Sequence, residues 1–156
     1  MTAVRELVAA RDAAWCDAIM ASLPDFFGVA SGLADCARAV RSERGAVAVD
    51  NDDRVLGFAT WVAHRENAGE ITWAAVHRDF RNRQLGREII TAVEAQARDA
   101  GIAWMTVMTV SPNDSQPEVY LPTRYFWQQV VGYSELRDFD VWDSNLAVLM
   151  VKRLRG

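Results

Sequence analysis

The sequence lacks the features that would indicate a membrane protein, a disulfide scaffold or a metal site. No apolar run approaches the ~20 residues needed to cross a bilayer, and the first residues lack the apolar core of a signal peptide. Only two cysteines occur, Cys16 and Cys36, both in segments that look helical. No residues have metal-ligand spacing. We therefore expect a cytoplasmic protein with two reduced thiols and no metal.

A broad basic surface is also lacking. The 17 basic residues are outnumbered by 21 acidic ones, which gives a net charge of −4. Because nucleic-acid binding depends on extended positive charge, we expect no nucleic-acid partner. Neither a Gly-x-x-x-x-Gly-Lys-Ser/Thr nor a Gly-x-Gly-x-x-Gly motif occurs. The sequence therefore gives little support to a protein of the classes that bind nucleotide phosphates through these motifs.

The remaining composition is that of one globular domain. The chain has 156 residues, of which 51% are hydrophobic and 24% charged, and it contains no repeat, low-complexity tract or linker. We therefore expect a single domain over residues 1–156. The residues do not decide between a monomer and a homodimer.

The hydrophobic periodicity predicts a mixed order of strands and helices. Strands are predicted at 4–8, 46–49, 55–63, 70–76, 102–110, 134–142 and 146–154. Helices are predicted at 12–22, 31–43, 85–100 and 122–131. This order predicts an α/β (mixed α+β) fold, with a mostly antiparallel sheet of six to seven strands flanked by about four helices. Strict alternation in the fourth strand would place Glu70, Thr72, Ala74 and Val76 on one face.

The turn between strand 70–76 and helix 85–100 is the most informative segment. It carries four arginines within ten residues and a glycine at the helix start: Arg78, Arg81, Arg83, Arg87 and Gly86. The first N–H groups of a helix have no intrahelical partner, and the helix dipole adds partial positive charge there. A turn of this kind predicts a binding site for a small anion such as a diphosphate.

The same turn resembles the signature of the GNAT superfamily of N-acetyltransferases, Q/R-x-x-G-x-G/A. Here it reads Arg81-Asn-Arg-Gln84-Leu-Gly86, so the first and last positions match and Gln84 replaces the middle glycine. The segment 125–133 resembles the family's helix that ends in Tyr-x-x-x-Gly-Phe, and 146–154 resembles its closing strand. The resemblance covers about residues 46–154.

The resemblance implies acetyl-CoA as co-substrate. Backbone N–H groups near the helix start would hold its diphosphate, arginine side chains would add charge-assisted hydrogen bonds, and strand backbone would pair with the pantetheine arm. The implied cofactor-binding residues are Ala74, Ala75, Val76, Arg81, Arg83, Gln84, Leu85, Gly86 and Arg87. The alternative for the arginines is a solvated, salt-bridged helix start. Gln84 can expose its N–H at a negative φ, and we expect it to weaken cofactor binding without abolishing it.

Catalysis by direct transfer would need a base for the amine and an acid for the thiolate. Some family members keep a glutamate where Glu70 opens the central strand, so Glu70 is the candidate base; the alternative is an ordinary strand-end carboxylate. The family's usual acid is a tyrosine four residues before the terminal glycine. Counting back from Gly132 gives Gln128, or Trp127 if the helix carries one extra residue, and neither is an acid. Tyr125, one turn earlier, is the candidate substitute, and Tyr120 offers a further hydroxyl.

Other residues carry weaker indications. His64 and His77 are expected to be surface or structural residues. Trp15, Phe26, Phe27 and Trp61 are candidates either for an acceptor groove or for core packing. The resemblance predicts an N-acetyltransferase acting on a small-molecule or peptide amine; the alternative is a non-catalytic module that binds acyl-CoA.

Overall fold

The computed structural model describes residues 1–23, 30–81, 84–115, 117–142 and 145–154. The strands are β1 (Ala3–Glu6), β2 (Arg44–Val49), β3 (Val55–Arg65), β4 (Ala68–Val76), β5 (Trp104–Val110), β6 (Ser134–Phe139) and β7 (Ala147–Arg153). The helices are α1 (Ala9–Ala21), α2 (Ala30–Ser42), α3 (Leu85–Asp99) and α4 (Leu121–Tyr125), and a π-helical turn, Phe126–Val130, continues α4. Short 3-10 helices lie at Arg78–Phe80 and Pro117–Tyr120.

The strands form a seven-stranded sheet in the order β1-β2-β3-β4-β5-β7-β6. The pairs β1–β2, β2–β3, β5–β7 and β6–β7 are antiparallel. The predicted mixed, mostly antiparallel sheet with four helices is confirmed. Within the described ranges, no helix is long and apolar enough to cross a membrane.

The chain divides into two compact units. The first unit contains Met1–Val62 and Ile71–Gln96, and the second contains Ala63–Glu70 and Ala97–Gly156.

The first unit has a hydrophobic core between the α1–α2 pair and one face of its strands. Side chains of α1, α2, β2 and β3 form this core, and Trp73 and Ala75 of β4 pack against it. Both cysteines belong to it as free thiols, Cys16 at 0% and Cys36 at 1% exposure. The prediction of two reduced thiols is thus consistent with their burial. Asp12 anchors the start of α1 by accepting hydrogen bonds from the Val8 N–H and the Arg5 guanidinium.

Helix α3 lies close to the strands of the first unit because Gly57 leaves room for it. A Cβ atom on Gly57 would come within 2.9 Å of Ile89 Cδ1 and 3.1 Å of the Ala75 carbonyl oxygen. Gln96 ties the far end of α3 to the sheet, since it accepts a hydrogen bond from Trp61 Nε1 and donates one to the Gly45 carbonyl. The start of α3 is therefore held at a fixed place beyond the end of β4.

The second unit is built on the β5–β7–β6 strands. Arg124 of α4 is buried and donates to the Val110 carbonyl at the end of β5. The helix that begins with α4 ends at Gly132, which has φ +82°, the left-handed region that favours glycine. Tyr133 then packs edge-on against Trp127, with ring centroids 5.4 Å apart.

Several predicted boundaries were wrong. Helix α1 begins at Ala9 rather than at 12, and β6 ends at Phe139 rather than at 142. The helix predicted at 122–131 is a short α-helix followed by a π-helical turn. Neither 3-10 helix was predicted.

Candidate functional site

The start of α3 has the geometry of an anion cradle. Gln84 precedes the helix and its carbonyl accepts the first helical hydrogen bond, from the Glu88 N–H at 3.2 Å. The backbone of Gln84 has φ +61°. A negative φ was the condition under which Gln84 would expose its N–H without glycine, and that condition is not met: the residue adopts the left-handed conformation that a glycine would adopt without strain.

The cofactor-binding residues predicted in this turn have distinct environments. Leu85 is buried, at 2% exposure, and anchors the first turn of α3 in the core. Gly86 is half-buried, whereas Arg81 and Arg87 are exposed. Arg83 lies outside the described residues. The first helical N–H groups, which belong to Leu85 and the two residues after it, lack intrahelical acceptors and can bind phosphate oxygens.

A groove adjoins this helix start within the first unit. Its volume is about 420 Å³. It is lined by Thr2, Ala3, Val4, Gln84, Arg87, Glu88 and Thr91. Because Gln84 and Arg87 belong to both features, a ligand whose phosphate lies at the helix start can extend into the groove.

The last residues of β4 present backbone groups on the side away from β3. The His77 N–H donates to the Leu56 carbonyl of β3. Since successive residues of a strand direct their backbone groups to opposite sides, Ala74 and Val76 direct theirs away from β3. Ala75 points its carbonyl toward Gly57 instead. The pairing of the strand backbone with a pantetheine arm stays a prediction.

In the second unit, Glu70 is paired with His64. The distance between His64 Nε2 and Glu70 Oε1 is 2.7 Å. Glu70 has 21% of its side chain exposed and His64 has 54%. The sequence prediction treated these two residues separately. The structure brings them together beside the turn of the β3–β4 hairpin, where the carboxylate is oriented by the imidazole and stays accessible.

The tyrosines of the second unit differ in exposure. Tyr125 is the last residue of α4 and is 61% exposed. Gln128, four residues before Gly132, donates a hydrogen bond to Glu135. Tyr120 is half-buried, and burial together with the charge of Asp114 raises the pKa of its phenol. Tyr125 is thus the more accessible hydroxyl of the two candidates.

A polar chain in the first unit was missed by the sequence analysis. Thr72 of β4 donates a hydrogen bond to the carboxylate of Glu43, the residue after α2. The Thr72 hydroxyl also lies 2.7 Å from that of Thr60, which is fully buried in β3. No motif links these residues: the β3–β4 pairing brings the two threonines together, and Glu43 contacts them from the end of α2.

This chain also corrects the predicted alternation in β4. Phe58 belongs to the core on the α1–α2 side, and Thr60, two residues along β3, shares its face. Thr72 contacts Thr60, yet Ala75 packs on the same core. Thr72 and Ala75, which are three residues apart, therefore share a face of β4. The strict alternation of the strand is interrupted between these two residues.

The other candidates are mostly structural. Trp61 is 3% exposed and bonded to Gln96, so it is a core residue. Trp15 is 42% exposed. His77 Nδ1 accepts a hydrogen bond from the Asp79 N–H and so caps the 3-10 helix, as a structural histidine would. Phe26 and Phe27 lie outside the described residues. Among the side chains that the structure places, no three His, Cys, Asp or Glu residues form a group that could hold a metal ion.

Comparison with known proteins places these features in a family. The model of the acetyltransferase (GNAT) family matches residues 9–121. No curated protein matches the sequence.

Solved structures resemble the fold over nearly the whole chain. A protein assigned to the GNAT acetyltransferases, from Desulfovibrio desulfuricans, has a TM-score of 0.84 at 18% identity, covering 99% of this chain and 100% of its own. Ard1 from Thermoplasma volcanium has a TM-score of 0.72 at 16% identity, with 99% of each chain covered. An aminoglycoside 6′-N-acetyltransferase complexed with coenzyme A has a TM-score of 0.74 at 15% identity, with 99% and 98% covered. With the family model matching more than half of its residues, the chain belongs to the GNAT acetyltransferase family.

Proposed function

We propose that the protein transfers the acetyl group of acetyl-CoA directly to an amine. The observation that carries this proposal is the turn before α3. Gln84 has φ +61° at a position where the family signature has glycine, at the N-terminus of a well-anchored helix. A left-handed backbone at the position where the signature has glycine, the residue that adopts this conformation without strain, supports retention of the diphosphate site.

The cofactor would be held mainly by backbone. The N–H groups at the start of α3 would bind the diphosphate, and Arg81 and Arg87 would add charge. The backbone groups of Ala74 and Val76 would pair with the pantetheine arm. This division makes affinity depend on the fold of the turn as well as on the arginines.

Direct transfer requires two proton movements. The neutral amine attacks the thioester carbonyl carbon, a C–N bond forms, and the C–S bond breaks. We assign Glu70 as the base that takes the amine proton, and Tyr125 as the acid that protonates the leaving thiolate of CoA. His64 holds one oxygen of Glu70 and leaves the other oxygen for the amine. His64 is thus a positioning residue in this scheme.

The substitution Glu70→Gln tests the assignment. It keeps the shape of the side chain but removes the base, so we expect kcat to fall about 10²–10⁴-fold while CoA affinity stays the same. The fall should shrink at high pH, where more of the amine is already neutral. Turnover would be followed by thiol release over a panel of small amines, aminoglycosides, amino acids and peptide N-termini, and CoA binding by calorimetry.

The matched control is Glu66→Gln, because Glu66 is an exposed acid in the turn of the same hairpin. It should leave kcat unchanged. A Glu70→Gln variant with wild-type rates across the pH range would remove Glu70 from the mechanism. Binding of CoA by the wild type without turnover of any amine would instead favour the non-catalytic acyl-CoA-binding module.

A further inference from the structure

Glu43 is a half-buried carboxylate that is held in place by a hydroxyl group and, among the residues that the structure describes, has no cation paired with it. It accepts a hydrogen bond from the Thr72 hydroxyl. A threonine hydroxyl has one proton to donate. Because Thr72 gives its proton to Glu43, the buried Thr60 must donate to Thr72 across their 2.7 Å separation. The two threonines therefore form a directed chain that fixes the carboxylate and leaves its charge intact.

The cations nearest to Glu43 in sequence are engaged elsewhere. Arg41 binds Asp17, with Nη2 2.7 Å from a carboxylate oxygen. Arg44 lies over the ring of Trp61, 5.0 Å from its centroid. In the described part of the chain, no Lys, Arg or His nitrogen lies within ion-pair distance of Glu43. The more deeply buried Asp12, by contrast, has the guanidinium of Arg5 at 2.8 Å.

The position of Glu43 at the C-terminal end of a helix is also unfavourable for a negative charge. It follows Ser42, the last residue of α2, and its N–H donates to the Ala39 carbonyl of the last helical turn. The C-terminal end of a helix carries partial negative charge, which disfavours a carboxylate and favours a cation. A carboxylate kept at this position, half-buried and without a cation, is arranged to receive positive charge from a ligand.

We propose that Glu43 binds an ammonium group of the acceptor, and that the acceptor carries at least two amines. An amine paired with a carboxylate is stabilised in its protonated form, and a protonated amine cannot attack a thioester. The ammonium group bound by Glu43 is therefore distinct from the amine that is acetylated. Acceptors of this class are alkyl diamines, polyamines and other compounds with several amines. This proposal rests on the proposed acetyl transfer.

The test compares 1,4-diaminobutane and spermidine with n-butylamine, which has a single amine. We expect the wild type to have a higher kcat/KM for 1,4-diaminobutane and spermidine than for n-butylamine. The substitution Glu43→Gln should reduce that preference by about 10- to 100-fold, the range expected for loss of a charge-assisted contact, with CoA affinity unchanged. Thr72→Val keeps the charge of Glu43 but removes the hydroxyl that donates a hydrogen bond to it. This substitution should reduce the preference by a smaller factor.

The control is Glu6→Gln, which removes one negative charge from an exposed position of β1 in the same unit and should leave the preference unchanged. Calorimetric titration of 1,4-diaminobutane into the CoA-bound protein separates this proposal from the proposed function, because it needs no turnover. Weaker diamine binding by Glu43→Gln supports the proposal even for an inactive protein. Equal use of diamine and butylamine by the wild type, or a preference that survives in Glu43→Gln, would overturn it. If Glu43→Gln does not fold, wild-type preference in Thr72→Val would overturn it as well.

Discussion

Replacing Gln84 with glycine is expected to stabilise the protein and to preserve or improve CoA binding. Most glycine substitutions at the start of a helix would do the opposite, because glycine gains conformational freedom in the unfolded chain. The exception here follows from the backbone, since Gln84 has φ +61°. A side chain with a Cβ atom is strained in that region and glycine is not.

The size of the effect is the difference between two terms. Relief of the left-handed conformation contributes about 1–2 kcal/mol, and the extra freedom of unfolded glycine costs about 0.5–1 kcal/mol. The expected net gain in the free energy of unfolding is therefore between zero and about 1.5 kcal/mol. The side chain adds little to this balance because it is exposed.

The measurement is urea unfolding of the wild type, Gln84→Gly and Gln84→Ala, with CoA binding followed by calorimetry. Gln84→Ala is the matched control, since it removes the side-chain amide but keeps the Cβ atom and its strain. It should be within about 0.5 kcal/mol of the wild type. A Gln84→Gly variant that is less stable than Gln84→Ala would refute the strain argument. Loss of CoA binding by a folded Gln84→Gly would show that the phosphate turn has a different register.

Two further predictions concern the second unit and the core. Tyr125→Phe should lower kcat more than it lowers CoA affinity. Unchanged turnover would mean that Tyr120 or water protonates the leaving thiolate. Cys16 and Cys36 should not react with Ellman's reagent at pH 8 and should release two equivalents after denaturation, because burial raises the pKa of each thiol to about 12. Since the unfolded thiols ionise near their ordinary value of 9.0, their contribution to stability is fully present below pH 9 and is lost as the pH rises toward 12; rapid labelling of the folded protein would contradict this burial.

Much of the fold could be predicted because its helices and strands have clear hydrophobic periods. Helix α3 was predicted within one residue, since Leu85, Ile89, Val93 and Ala97 repeat at a spacing of four and all are buried. The π-helical turn at Phe126–Val130 could not be read in this way. Its wider turn accompanies particular contacts at the helix end, namely the packing of Trp127 on Tyr133 and the hydrogen bond from the Tyr133 N–H to the Trp127 carbonyl. No spacing in the sequence encodes those contacts.

The candidate site was readable only where a motif marks it. The signature placed Gln84 at the turn, but its φ depends on how β4 and α3 are joined, which residue identity alone does not specify. The pairing of His64 with Glu70 required the register of the β3–β4 hairpin, as did that of Thr60 with Thr72, twelve residues apart. Glu43 gave no signal, because a single glutamate at a helix end is common and becomes informative only when its missing cation is seen.

The partners of Glu70 and Glu43 suit these two carboxylates to different roles. Glu70 is bonded to an imidazole, which holds one carboxylate oxygen and leaves the other free for an amine in the proposed scheme. Glu43 is bonded to a threonine hydroxyl, which orients a carboxylate but neither adds nor removes charge at ordinary pH. The first arrangement favours proton transfer and the second favours holding a cation. Exchanging the roles by mutation is therefore expected to fail: Thr72→His would supply a competing cation to Glu43 and weaken diamine binding, whereas His64→Thr would remove the imidazole that orients Glu70 and lower kcat.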